Sequence, residues 1–285
     1  RGIIMMMINN MIATRSEWSV VICFFVLFAV SGPGRAEEWY VSTTGDNNNS
    51  GTTGADSFGT VQKALDSAQD GDVIIMAPGF YSKEGNSNLD ISISLRIVCH
   101  AEGDNAAAIF LEGATFAHVN LQLGHVVEFY GLLLSGGRPA IDVTGSKSDF
   151  VDLDEFFACT NCTIVDSEDT SVLLTSGKSK FIDCMFSGNQ WGLELAGSSS
   201  AIVTESYFVE SGSSQYSSGG AIYGNFDGDL TVEATYFGGN QGSTGQAINL
   251  SRLRGGSVTY SISNCAFIGN RGNNGVVAIS AGSGS

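Results

Sequence analysis

From Asn161 onward the apolar positions come in short bursts that repeat. NCTIVDS from Asn161, DCMFSGN from Asp183, ESYFVES from Glu205, ATYFGGN from Ala234 and NCAFIGN from Asn264 share one pattern. Their apolar anchors are Ile164, Phe186, Phe208, Phe237 and Phe267, spaced 22, 22, 29 and 30 residues apart. Cys184 and Phe186 stand two apart, so they share one face of a strand. A Phe that recurs on one face belongs inside, and the stacked anchors predict an interior ladder of Ile and Phe. Asn189, Asn240 and Asn270 recur at the following corner. There an amide can bond the neighbouring turn of chain and satisfy the bent backbone, with Ser167 and Ser211 as weaker substitutes. A second motif follows as GGAIY from Gly219, GQAIN from Gly245 and GVVAI from Gly275, with WGLEL from Trp191 as a degenerate copy. A chain that returns to the same place about every 22 residues, with loops absorbing the surplus, is an all-β parallel solenoid. A β-sandwich or propeller would need hairpin turns such as Asn-Gly at short, regular spacing. The corners here are one- or two-residue bends between copies of one motif.

The stretch VQKALDSAQDGDVIIMAPGFY, residues 61–81, departs from that pattern. Val61, Ala64, Leu65 and Ala68 recur at i, i+3, i+4 and i+7, the spacing of one helix face. Gly71 and Asp72 end the helix, Val73–Ala77 reads as a strand, and Pro78-Gly79 makes a corner. A solenoid's first coil exposes an apolar end and unpaired strand edges, and a short amphipathic helix can cover both.

WYVSTTGDNNNSGT followed by SFGTVQKALDSAQDGDVIIMAPGFY resembles the opening of right-handed parallel β-helix proteins of the pectin-lyase-like superfamily. The GGAI and FxxN pair is similar to the polymorphic outer-membrane protein repeats of bacterial surface adhesins. The resemblance covers about residues 39–280. It implies a right-handed parallel β-helix of three sheets with a short N-terminal capping helix. It says little of activity, because one fold hosts many functions.

Before that domain, Arg15 precedes an apolar run from Trp18 to Val30, then SGPGRA with Gly34 at −3 and Ala36 at −1. This predicts a signal peptide over residues 1–36, started between Met5 and Met11, and a secreted or surface-displayed domain over 37–285. An uncleaved anchor is the alternative, although the run falls short of the ~18–20 apolar residues of a span. Processing takes the net charge from −16 to −18 by removing Arg1, Arg15, Arg35 and Glu17. Such a chain repels nucleic acid, and no basic patch offsets this. Nothing after the signal predicts a membrane segment. Cys99, Cys159, Cys162, Cys184 and Cys265 remain, an odd number in an oxidising compartment. Cys162 and Cys184 lie 22 residues apart, which leaves open a stacking disulfide or a thiol ladder, while Cys265 is expected free. Asn48, Asn161 and Asn249 stand in N-x-Ser/Thr sequons. GVVAISAGSGS stops just after a repeat motif, so the natural protein is expected to continue past Ser285.

Catalytic chemistry is hard to find. Polysaccharide lyases on this fold need a Lys or Arg base near a substrate carboxylate, usually with calcium; its glycosidases need two or three nearby Asp residues. The glycosidase strings NTD, DD, GHG and RIK are all absent. His100, His118 and His125 read as strand or corner residues. DFVDLDEF, followed by Asp166, Glu168 and Asp169, is the densest acidic region. Asp152 and Asp154 share a strand face, and with Asp166 they are candidate calcium ligands. Lys147 and Arg138 are the nearest candidate lyase bases. The expected role is non-enzymatic, an adhesin-like domain contacting an extracellular polysaccharide or cell-surface glycan. A polysaccharide lyase or hydrolase is the alternative, and a structural cell-surface spacer the third. An enzyme should carry a polar cluster across two or three coils of one outward face. An adhesin should turn aromatic residues outward, with Trp191, Tyr216 and Tyr223 foremost.

Overall fold

The computed structural model describes residues 36–99, 107–122, 124–145, 156–212, 220–242, 246–253, 256–272 and 275–280. Contacts divide the chain between Gly34 and Arg35, and every described residue falls in the second unit. The expected signal segment, His100, Lys147, Asp152, Asp154 and Tyr216 lie outside the described residues.

Three stacks of parallel strands wind around one core. The first stack contains β1 (Glu38–Val41), β2 (Asp72–Met76), β5 (Leu95–Val98), β8 (Val126–Tyr130) and β11 (Phe156–Thr160). It continues through the second halves of β13 (Thr170–Ile182) and β15 (Trp191–Thr204) to β18 (Gly228–Glu233) and β21 (Val258–Ser263). The second contains β4 (Leu89–Ile91), β7 (Ala117–Leu121), β10 (Ile141–Gly145), the first halves of β13 and β15, β17 (Ile222–Phe226), β20 (Ile248–Arg252) and β23 (Val277–Ser280). The third contains β3 (Gly79–Tyr81), β6 (Ala107–Phe110), β9 (Leu132–Ser135), β12 (Thr163–Val165), β14 (Met185–Ser187), β16 (Tyr207–Val209), β19 (Tyr236–Gly238) and β22 (Ala266–Ile268). In β13 and β15 the first two stacks run into one another as continuous strands of 13 and 14 residues. The architecture is a parallel β-helix.

The anchors share one register. Ile164 pairs with Phe186, Phe186 with Phe208, Phe208 with Phe237 and Phe237 with Phe267. Phe186, Phe208 and Phe237 are fully buried, and their rings stack face to face at 4.5 and 5.2 Å; Phe237 and Phe267 follow at 4.9 Å. Nearer the N-terminus, Phe116, Phe129, Phe157 and Phe181 meet edge to face at 5.1–6.1 Å. They do not share one register column, so their rings meet at an angle, which their quadrupoles favour.

The tight corner between the first and third stacks is one left-handed residue. Gly131, Asn161, Asp183, Glu205, Ala234 and Asn264 hold it with φ between 49° and 68°. Each of the first five donates its N–H to the next coil at 3.0–3.2 Å. The following residue is small and carries a donor: Cys162, Cys184, Ser206, Thr235 and Cys265 each bond the carbonyl two residues back, at 2.8–3.4 Å. All five cysteines from Cys99 onward are thiols. At the next corner Asn189 Oδ1 accepts from Ser167 N and Asn240 Oδ1 from Ser211 N, both at 2.9 Å. Their Nδ2 groups donate to the carbonyls of Ile164 and Phe208, and Asn270 donates likewise to Phe237.

One alignment needs correcting. Ile248 pairs with Val277 and Glu194 with Tyr223, so GVVAI and WGLEL are each offset by one residue from GQAIN and GGAIY. Glycine is a poor guide to register here, because side chains alternate with period two and the inward apolar residue decides.

The helix α1 spans Val61–Ser67, with Thr60 Oγ1 accepting from Lys63 N as its N-cap. Val61 and Ala64 are buried and Leu65 half-buried against the core. It packs on β1, β2 and β4 at the first coil. β1 shares the capping task by pairing in register along β2. Buried Asp72 ties the region together, accepting from Glu37 N, Trp39 Nε1 and Gln69 N at 2.8–3.0 Å.

Candidate functional site

The outer face of the second stack carries a row of polar side chains, one per rung. Register places Asp90, His118, Asp142, Leu173, Glu194, Tyr223 and Asn249 in one column. Their strand neighbours Leu89, Ile91, Ala117, Val119, Ile141, Val143, Leu193 and Leu195 are buried, so alternation turns the column outward. A second outward column brings Asn120 beside Thr144 and Asn225 beside Ser251, with Thr144 and Thr175 hydroxyls 2.9 Å apart.

Within the first column His118 Nδ1 lies 3.3 Å from Asp142 Oδ2, with their side chains 44% and 28% exposed. Asp142 Oδ1 is buried and has no hydrogen-bond partner. Asp90 is exposed on the other side of His118. Further along, Thr170 Oγ1 donates to Glu194 Oε2 at 2.6 Å. Trp191, at the start of β15, lays its ring beside that of Tyr223, with centroids 6.3 Å apart and planes 26° from parallel. Both rings are half-buried. The row therefore offers carboxylates, an imidazole, an amide and an aromatic platform at a strand-to-strand pitch of about 4.8 Å. It holds no Lys or Arg.

The residues singled out from the acidic region do not gather here. Arg138 forms an exposed ion pair with Glu168 at 2.8 Å, so its guanidinium already serves a carboxylate. Asp166 is exposed at a left-handed corner, φ 55°. Among the described residues no group of three or more His, Cys, Asp or Glu side chains is placed to hold a metal ion. Of the sequons, Asn48 is exposed and donates to Asp46, Asn161 is an exposed corner, and Asn249 lies in the outward row beside Tyr223. Trp191 and Tyr223 are outward, as expected of a ligand-contacting surface. His118 was read as an ordinary strand residue. It lies on a strand, but between two carboxylates of the row. The available signal was the apolar-polar-apolar pattern of LDI, AHV and IDV at spacings of 28 and 24 residues, close to one coil.

Among the described residues no helix is long and apolar enough to cross a membrane. No protein-family model matches the chain, so the resemblance to surface-adhesin repeats finds no support there. No curated protein matches it either. Among solved structures, the chain is similar to a rhamnogalacturonan lyase at 9% identity and a TM-score of 0.43, covering 76% of this chain and 73% of that one. It is similar to the pectate lyase Pel9A at 13% identity and a TM-score of 0.46, covering 84% and 79%. An alginate lyase from Paenibacillus sp. str. FPU-7 follows at 12% identity and a TM-score of 0.38, covering 76% and 96%. These likenesses concern the course of the backbone, and no residue or activity is carried over from them.

Proposed function

We propose that the chain binds an extended polysaccharide along the outer face of the second stack. The observation that carries this is the Trp191–Tyr223 platform standing in line with Glu194, Asn225 and Asn249. An aromatic plane takes the apolar face of a sugar ring, and flanking carboxylates and amides take its hydroxyls. Parallel rungs repeat these groups along a straight line, which suits a polymer. The row is acidic and the whole chain has net charge −16, so a neutral glycan is favoured over a uronan. The apolar run from Trp18 to Val30 supports export to where such polymers lie.

Trp191→Ala and Tyr223→Ala are each expected to weaken binding to a neutral glycan at least tenfold, measured by calorimetry against the best ligand from a glycan array. Unchanged affinity in both variants would overturn the reading.

One arrangement favours a second reading, hydrolysis. Asp90 and Asp142 flank His118 two rungs apart, about 10 Å at the backbone. Carboxyl groups of inverting glycosidases stand roughly 6.5–9.5 Å apart, with room for water between them. The open Oδ1 of Asp142 is available as base or acid. New reducing ends, without unsaturated uronate absorbance and abolished by Asp142→Asn, are the expected result for a hydrolase. Absorbance from unsaturated uronates would instead establish a lyase.

A further inference from the structure

A second aromatic feature lies on a different face, the outside of the third stack at its N-terminal end. Phe80 of β3 is 74% exposed and Phe110 of β6 is 41% exposed. Their rings stack with centroids 5.8 Å apart. Phe110 also forms one wall of a cleft of about 190 Å³, whose other walls include Ser82, Lys83, Glu84, Ser87 and Glu112. The cleft is preformed. Asn86, fully buried, accepts from Val61 N of α1 at 2.9 Å and donates to Lys83 O at 3.2 Å, fixing the loop between β3 and β4. On the other side Ala114 N donates to Leu111 O at 2.7 Å, holding the turn that carries Glu112.

From this juxtaposition we infer a second saccharide site, in which a neutral pyranose unit stacks on Phe80 and directs its hydroxyls into the cleft. The inference rests on the polysaccharide reading for its class of ligand, but on none of that reading's residues. The lining decides the chemistry. An apolar peptide side chain would meet two carboxylates and an ammonium in the cleft. A nucleotide or uronate would meet the repulsion of a strongly acidic chain. A neutral sugar presents one apolar face and a rim of donors, and Glu84, Glu112 and the serine hydroxyls are acceptors for that rim. Lys83 donates to Thr43 O at 3.4 Å and has further N–H groups to offer a ring or hydroxyl oxygen.

The test is calorimetry of the whole chain with neutral β-linked glucan, xylan and mannan hexasaccharides. Four proteins are compared: wild type, Phe80→Ala/Phe110→Ala, Trp191→Ala/Tyr223→Ala, and Glu112→Gln. Both phenylalanines are exposed, so the first double variant should melt as the wild type does. The expected result is two sites on the wild type, with one lost or weakened at least tenfold in the phenylalanine variant and weakened in Glu112→Gln. The tryptophan–tyrosine variant should keep that site and lose the other. If it keeps both, the reading of the second-stack face fails while this one stands. If the phenylalanine variant binds as the wild type does, or the wild type binds none of the three sugars, this inference is overturned. A drop in hydrophobic-dye fluorescence in that variant with saccharide binding unchanged also overturns it, and marks the patch as a protein contact.

Discussion

At the scale of single residues, the corners do work that propensity alone would not assign. Asn240 satisfies Ser211 N and Phe208 O and also bonds Asn270 Oδ1, all within a buried corner. Asn240→Ala strands those partners, and each buried unpaired group costs about 1–3 kcal/mol. A loss of about 3 kcal/mol in chemical denaturation is expected. Ala234 presents the opposite case. It holds φ 49° with an exposed side chain where Asn161 and Asn264 hold the same corner two coils before and one coil after. A left-handed alanine costs ~1–2 kcal/mol, which asparagine relieves by local hydrogen bonding. Ala234→Asn should raise stability by about 1 kcal/mol, seen as a higher melting temperature. The asparagine corners were legible in the sequence because one residue type recurred at fixed offset. The role of Cys184, Ser206 and Thr235 was not, because the shared property is a donor on a small side chain, and three residue types supply it.

At the scale of elements, the helix, the strands and the ladder were legible because each follows a strict period. The polar row was not. Asp90, His118 and Asp142 lie on β4, β7 and β10, before the bursts become regular, and no repeated letter connects them. Only register reveals the column. The same stacking controls thiol chemistry. Cys99, Cys159, Cys162 and Cys184 are buried, whereas Cys265, on the less covered coil before β22, is half-exposed. Burial pushes the thiols of Cys159 and Cys184 up, so neither forms the reactive thiolate at neutral pH. In the segment from Glu37, a thiol reagent should therefore modify one cysteine quickly in the native state and five after denaturation. Two or more rapid equivalents in native protein would mean the core coils open far more readily than their packing indicates.

At the scale of the whole molecule, each coil contacts only its neighbours, so a coil is a separable unit. Residues 183–204 make up one 22-residue period between two left-handed corners, Asp183 and Glu205. Deleting them joins β13 to β16 in the register β15 used, and removes Trp191 with the platform. The shortened chain should still unfold cooperatively with a β-rich circular dichroism spectrum. Deleting 15 residues from the same place should not, since it puts the wrong face inward. The resemblance drawn from the opening stretch agrees with the architecture, because a strand, a capping helix and a Gly-Asp strand are what the first coil consists of. Activity was less legible, because it rests on which outward residues fall side by side, and that depends on loop lengths.

Those loop lengths are unevenly distributed around the circumference. From β8 onward the corner between the first and third stacks is always one left-handed residue locked by its follower. The surplus that stretches the anchor spacing from 22 to 29 and 30 residues enters instead around β17 and β20, at the borders of the second stack. One flank of the molecule is thus closed to innovation, while the other is free to acquire new loops without disturbing the winding. Relatives of this chain that differ in what they hold should differ along that free flank, and share the locked corner almost letter for letter.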